Sequence, residues 1–336
     1  LYDPTLNING TYEQQTGYVT DLMNDLAVKF LNAPRKNPFS LFLAHKAVHP
    51  DAFQYADGTL DLTKQGGYKP AERHMNLYKG CVFPRKPNML SPAEVVKQKP
   101  AWADAFEIKN TEHAKAILAS LHAGDQEEIR LRAAMMASVD EGVGMILEAL
   151  TRTGQLEDTA IVFLGDNGYF FGEHGLGPER RFAYEEGIRS PFVFRYARKI
   201  KPGTRFRDLV ICQDIAPTLI ELAGGKPGPQ VQGRSLLPLF SRNRKGRSWR
   251  KSFLVEYWAE QALPWLVGMT YKAVRTERYK YIHWVNRGRA GELDELYDLD
   301  TDPFELTNLY ASRAHAPVRD RLKRELKRLA TEALGL

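Results

Sequence analysis

Asp166 and Asn167 put a carboxylate and a carboxamide side by side, directly after the apolar run 160–164 and just ahead of Gly168. The run is too short and too rich in β-branched residues for a helix, and Asp158 and Gly165 bound it, so it reads as a buried strand. Both side chains carry hard oxygen donors. At the carboxyl end of a strand in an open α/β sheet, where ligands bind, they form a candidate site for a hard metal ion. The same tripeptide also suits a plain turn. A second polar group follows another apolar stretch, residues 39–44, and holds His45, Lys46 and His49 within five positions. Imidazole changes charge near neutral pH, which fits acid–base work, although a histidine after a strand also serves as an ordinary loop residue. A glycine-spaced loop then carries Glu173 and His174 and leads to Arg180 and Arg181. Cys81 is a poor nucleophile candidate, because no base lies at a spacing that would activate it.

Alternating strands and helices must position these groups. Val19, Leu22, Met23, Leu26, Ala27, Phe30 and Leu31 recur at three- and four-residue steps, which predicts an amphipathic helix over 13–32, ended by Pro34 and Pro38. Residues 51–102 show no period and read as a long functional excursion over one face of the domain. Two helical periods run between 111 and 153, the second through Ile129, Ala133, Met136, Val139, Val143, Ile146, Leu147 and Leu150, with Gly154 at its end. Residues 191–196 read as another buried strand, and 214–223 as a helix with Gly224 just beyond it. The fold class expected is therefore α/β, a mainly parallel sheet flanked by helices. Past Leu239 the pattern changes. Residues 241–251 are basic and turn-rich, short strands at 253–258, 269–276, 279–285 and 296–299 suggest a small antiparallel sheet, and 318–334 read as a closing amphipathic helix. The organisation expected is an α/β domain at 1–245 and a small α+β domain at 246–336.

With 336 residues, 43% of them hydrophobic and 26% charged, the chain has enough material for a sizeable core and the composition of a globular protein. A net charge of +6 implies mild attraction for anions. Its lysines and arginines concentrate near 242–251 and in the last helix, without the interleaved aromatics of a nucleic-acid surface, so no nucleic-acid partner is expected. No stretch reaches the roughly 18 consecutive apolar residues of a membrane helix, and no signal peptide opens the chain. Cys81 and Cys212 are distant and lie in no metal-ligand spacing. Asn9, Gly10 and Thr11 match a glycosylation acceptor, which matters only in a secreted eukaryotic protein.

Several segments, in order, resemble the sulfatase family of the alkaline-phosphatase-like superfamily, in the later two-thirds of its fold. They are Gly17, Tyr18 and Asp21 ahead of Ala27 and Phe30; LAHKAVHP at 43–50; FLGDNGY at 163–169 with GEHGLG at 172–177; YEEGIRSP at 184–191; DIAPT at 214–218; and RTERYKYI at 275–282 with ELYDL at 295–299, Asp302 and Pro303. The resemblance implies hydrolysis of a sulfate monoester, of a sulfated small molecule or glycan, with calcium and cationic side chains stabilising charge as the ester bond breaks. By position, Asp166 and Asn167 fall on the family's metal pair and His49 on the histidine that meets the sulfate or its leaving oxygen. Arg180 stands where the family usually has a lysine; it keeps the charge but offers a planar fork and no transferable proton. Lys46 and His174 fall on the substrate side. Family members are often periplasmic, secreted or lysosomal, and this chain does not specify a compartment.

The family's opening segment has no counterpart here. That segment holds an aspartate pair, a Cys/Ser-x-Pro-Ser-Arg motif whose first residue becomes the formylglycine nucleophile, and a Gly-Lys-x-His segment. Cys81 cannot stand in, since Val82, Phe83, Pro84 and Arg85 follow it and it comes after His49 in order. The expectation is an N-terminally truncated fold with an incomplete, weak calcium site, no nucleophile, and a sheet edge covered by rearrangement or by an oligomer. The alternatives are a non-catalytic paralogue that binds anionic ligands, or a phosphate or phosphonate ester hydrolase on the same fold.

Overall fold

The computed structural model describes residues 1–54, 60–105, 124–177, 179–241, 249–258, 269–285 and 293–334. The first of the two helical periods expected from 111 onward, and most of the basic stretch 242–251, lie outside them. The chain forms two compact units, residues 1–85 with 124–161 and residues 86–123 with 162–336.

In the first unit, β1 (Thr5–Ile8) and β2 (Thr11–Gln14) form an antiparallel hairpin. Asn9 and Gly10 at its tip both have positive φ, 53° and 95°, the turn that matches the strands' twist. The helix expected from residue 13 therefore begins later, as α1 (Val19–Asn32), after Gly17 at φ 121°. Its apolar stripe packs on the long helix α4 (Gln126–Arg152) through Leu31, Ala149 and Leu150, with Val28, Phe39 and Ile146 against them. Fully burying each of the two leucines stabilises the unit by roughly 1.5–3 kcal/mol. Asn24 sits within this apolar contact and is fully satisfied. Its amide donates to Ser138 O (3.0 Å) and its Oδ1 accepts from His45 Nε2 (2.7 Å). A Cβ on Gly142 would lie 2.1 Å from that Oδ1, so glycine is what admits the amide between the helices.

Two expectations fail in this unit and the stretch after it. Residues 39–44 form no strand: a strand needs a ladder partner, none pairs with them among the described residues, and Phe42 is 93% exposed. Residues 51–102 are not an unstructured excursion. They hold an antiparallel pair, β3 (Asp51–Gln54) and β4 (Leu60–Gly67), then α2 (Pro92–Gln98) and α3 (Pro100–Ala105). The start of α2 carries a capping box, Ser91 with Glu94, a local signal that the search for periodicity passed over.

In the second unit, β5 (Ile161–Leu164) pairs with β6 (Phe192–Arg195), with Leu164 39% and Val193 60% exposed. Between them lies α5 (Glu185–Ile188), and beyond them α6 (Ile215–Leu222) and α7 (Leu237–Phe240). Asp214, just before α6, is fully buried and takes both arms of Arg250 at 2.6 and 2.7 Å, the bidentate geometry that offsets the cost of burying both charges. The C-terminal part matches its expected form. Strands β7 (Ser252–Tyr257), β8 (Tyr271–Thr276), β9 (Tyr279–Trp284) and β10 (Glu295–Asp298) make one antiparallel sheet in the order β10-β9-β8-β7, and α8 (Ala316–Ala333) closes the chain. Alternation along each strand gives the sheet two apolar faces. Tyr271, Ala273, Ile282, Trp284 and Tyr297 pack on Phe170, Leu176, Phe182 and Tyr184; on the other face Val274, Tyr281 and Leu296 pack on Leu322 and Leu326 of α8. No helix among the described residues is long and apolar enough to cross a membrane, and both cysteines are free thiols.

Candidate active site

The Asp166-Asn167-Gly168 turn leaves β5 and is fastened to the segment 186–191. Gly165 N donates to Pro191 O and Gly168 N to Gly187 O, both at 3.0 Å. Asn167 N donates to Asp166 Oδ1 (3.0 Å), and the Asn167 amide donates to Gly168 O (2.7 Å). This leaves Asp166 Oδ2 and Asn167 Oδ1 as outward acceptors on an exposed and a half-buried residue. Among the described residues no cationic side chain pairs with Asp166. Two hard oxygens with no internal partner suit calcium chemically, and two fall well short of the six to eight that it takes.

Arg180 follows on the same loop system. The backbone of Phe170 donates to Glu179 O (3.0 Å), drawing the arginine segment toward the turn. Glu179 is 1% exposed, and its Oε1 accepts from Arg180 N (2.7 Å), Arg181 N (2.9 Å) and the Arg181 guanidinium (3.1 Å). The two neighbouring arginines thus differ. Arg181 is ion-paired, whereas the Arg180 guanidinium has no carboxylate partner among the described residues. A half-buried, unneutralised guanidinium is suited to an oxyanion.

His174 lies in the interior rather than on an open surface. It is 0% exposed, stacks on Tyr184 at 4.1 Å, and its Nε2 donates to Glu186 Oε2 (3.2 Å). Its backbone takes a left-handed φ of 57° and donates to Asn88 O. Burial, with the charge of Lys99 adding to it, pushes its pKa down to about 3. Neighbouring Glu173, also 0% exposed, accepts from Lys86 Nζ (2.5 Å) and Phe171 N (2.6 Å). Lys46 and His49 belong to the first unit. There they close a turn, His49 N donating to Lys46 O (3.0 Å), with His49 Nδ1 3.0 Å from Pro50 O and Lys46 exposed. His45 anchors this turn through Asn24, and burial lowers its pKa, so it is neutral at pH 7.

Tyr184, Glu185 and Glu186 tie the arginine loop to the interior of the second unit. Tyr184 OH donates to Glu295 (3.0 and 3.1 Å). Glu185 is ion-paired with Lys280 Nζ (2.8 Å) and accepts from Arg275 (2.9 and 3.1 Å), and Glu186 accepts from Asn88 Nδ2 (2.9 Å). Lys280 also holds Glu305 at 2.8 Å, and both are fully buried. His174, Glu186 and Glu305 are the one trio of potential metal ligands close enough to share an ion among the described residues. With Lys280 on Glu305 and His174 on Glu186, the trio is an internal polar network and not a metal centre. Burial works to raise Glu185, but Lys280 and Arg275 outweigh it and hold the carboxyl at about 2.

These shifts set an acid limit. Folded His174 stays neutral to about pH 3, while its unfolded form protonates near 6.5, so stability falls as pH drops through that window. Glu185 adds its own loss between its unfolded value of 4.5 and about 2. Thermal melts from pH 8 to pH 3 are expected to hold level above about 6.5 and then decline by about 1.4 kcal/mol per pH unit per proton. His174→Gln should flatten the upper part of that decline. An unchanged slope in this variant would remove His174 as its source.

The sulfatase family matches residues 2–225, and the C-terminal part of N-sulphoglucosamine sulphohydrolase matches residues 172–332. The chain belongs to the sulfatase family. The chain is 27% identical, over 98% of its length, to an N-acetylglucosamine-6-O-sulfatase of Bacteroides thetaiotaomicron, and 29% identical over 91% of its length to an arylsulfatase of Volvox carteri. It spans 64% and 50% of those proteins. It is also similar to a protein solved in complex with its substrate D-glucosamine-2-N,6-O-disulfate, with a TM-score of 0.77, 26% identity, and coverage of 99% of this chain and 73% of that one. The expected family and the α/β fold class both hold. Sequence reasoning passed over Lys86, Asn88 and Asn24, which support the site loops. Lys86 and Asn88 reach partners 87 and 98 positions away and Asn24 one 114 positions away, so no local signal marks these contacts.

Proposed function

We propose that this sulfatase takes a sulfated sugar, with Arg180 holding the sulfate and Asp166 and Asn167 contributing two ligands to a calcium ion. The observation that carries the reading is the contrast, among the described residues, between ion-paired Arg181 and Arg180, which has no carboxylate partner, on the loop system that follows a turn with two oxygen acceptors left over from its own hydrogen bonds. The similarity to an N-acetylglucosamine-6-O-sulfatase and to a protein bound to a disulfated glucosamine supports the substrate class. Calcium, when bound, would polarise the sulfate oxygens. The family pattern assigns the leaving oxygen of the ester to His49. His174, being buried, positions the loop through Glu186 and Tyr184 and does not touch substrate. No residue among the 336 matches the formylglycine motif, so these residues alone bind the sulfated sugar and do not turn it over.

Titration of the 336-residue chain with N-acetylglucosamine 6-sulfate, the 6-phosphate and the unsulfated sugar, each with calcium and with a chelator, tests this. The sulfated sugar should bind best and lose affinity with the chelator. Arg180→Ala should weaken it by about 10- to 100-fold, as loss of a charge-assisted hydrogen bond does. Equal binding of the unsulfated sugar would sink the substrate class, tighter binding of the phosphate would shift the ester class, and sulfate release by this chain would refute the absence of a nucleophile.

A further inference from the structure

The outer face of the C-terminal sheet carries a second cationic surface, separate from the Asp166–Arg180 loop. Helix α8 covers one half of that face through Leu322 and Leu326. Beyond the helix, pairing across β7, β8 and β9 sets Glu256, Lys272 and His283 in one row, and opposite residues in a sheet share a face. Where helix and sheet diverge lies a cavity of about 380 Å³, lined by Lys272, His283, Asp294, Lys323 and Lys327. At its sheet side Trp258 is 61% exposed, with the Lys272 ammonium 5.2 Å over its ring.

The charge arrangement is not one that helix stability calls for. Arg319, Lys323 and Lys327 stand at successive i,i+4 positions, where like charges weaken a helix. Among the described residues neither Lys323 nor Lys327 has a carboxylate within ion-pair distance; Lys323 bonds only the Tyr310 hydroxyl, at 2.7 Å. The carboxylates on the opposite side of the helix do pair, Glu325 and Glu332 with Arg328. Asp294 is the one acid in the cavity lining, and it is 2% exposed and already accepts from Tyr281 OH, His283 Nδ1 and Trp284 N. Its charge is taken up by those three donors, and Lys272 is paired with Glu256 at 2.9 Å, so Lys323 and Lys327 are the lysines of the lining with no carboxylate partner among the described residues.

We infer that this surface is an auxiliary site for a sulfated polysaccharide, a sugar ring lying on Trp258 beside the Lys272–Glu256 pair and its sulfates on Lys323 and Lys327. Ammonium groups meet sulfate oxygens through charge-assisted bonds, and an exposed indole offers the flat apolar face that a pyranose ring covers. A single aromatic platform, rather than a row of them, suits a glycan better than stacked bases. The choice of a glycan among polyanions rests on the proposed sulfated-sugar function, while the site itself shares no residue with it.

The test is affinity electrophoresis and titration of the whole 336-residue chain with heparin and with fully desulfated heparin. Wild type should bind the sulfated form with a steep salt dependence and ignore the other. Lys323→Glu with Lys327→Glu should lower heparin affinity by about tenfold or more, and Trp258→Ala should lower it severalfold, with circular dichroism unchanged. Arg321→Glu, on the far side of α8, controls for net charge and should cost less than the Lys323/Lys327 pair. Binding of N-acetylglucosamine 6-sulfate should be unchanged in the lysine variant, and Arg180→Ala should leave the lysine-dependent part of heparin binding in place, so either site can fail alone. Equal binding of desulfated heparin, equal loss in Arg321→Glu, or single-stranded DNA competing as well as heparin at matched charge would each overturn the inference.

Discussion

Alanine at Gly168 is expected to destabilise the protein by about 3 kcal/mol or more, at or beyond the upper end of ordinary overpacking. A Cβ there would lie 1.8 Å from Glu186 O and 2.8 Å from Arg189 O. These are backbone atoms of α5 and its exit, so no side-chain rotation can relieve the contact. The turn would have to lift off the segment, breaking the bond from Gly168 N to Gly187 O and releasing Asp166 and Asn167 from their orientation. Urea unfolding would measure the loss, and calcium-dependent binding of the sulfated sugar should vanish with it. Gly144→Ala, in the middle of α4 with nothing within 4 Å of the new methyl, should instead stabilise by about 0.5–1 kcal/mol. Similar melting of both variants would mean that Gly168 serves only as a flexible turn residue.

Methionine at Lys280 is expected to cost about 3–5 kcal/mol, the range for removing one partner of a buried ionic group. Among the described residues Lys280 is the only side-chain cation paired with the Glu305 carboxylate, and it shares Glu185 with Arg275 and, at 3.9 Å, Arg189. Without it two carboxylates face each other in the interior, since Glu185 N also binds Glu305 Oε2 at 2.7 Å. Burial already raises Glu305, so the variant should recover relative to wild type as pH falls and that carboxyl takes a proton. A companion change, Lys280→Met with Glu305→Leu, should restore much of the loss. Should the single variant lose the same stability at pH 8 and pH 5, the charge argument fails and only packing is left. Because Glu185 directly follows Tyr184, the same variant should also loosen the Arg180 loop and weaken the binding of the sulfated sugar.

Local order in the chain was sufficient for several elements and for the family. The alternation at 252–257, 271–276 and 279–284 names strands with two apolar faces, and the stripe in 316–333 names the helix that covers one of them. Such periods report which side of an element is buried, and that is a property of neighbouring residues. Asp166, Asn167 and Arg180 were visible in the same way, as polar groups placed where a buried strand ends or a loop begins. What the tertiary structure alone decided were properties set by residues far away. Tyr12 could join a strand only because Thr11–Gln14 meets Thr5–Ile8 across a turn with two positive φ angles, which displaced the start of α1. Residues 39–44 have a strand's composition and, among the described residues, no strand to pair with. His174 reads from its spacing as a loop residue, and only the fold encloses it with Tyr184, Glu186 and Asn88. Arg180 and Arg181 are the same residue side by side, and only the direction taken by Glu179 separates the paired one from the one left for an anion. Sequence spacing carries periodicity and residue chemistry; enclosure, close backbone approach and the choice of ion-pair partner depend on distances that the chain acquires only on folding.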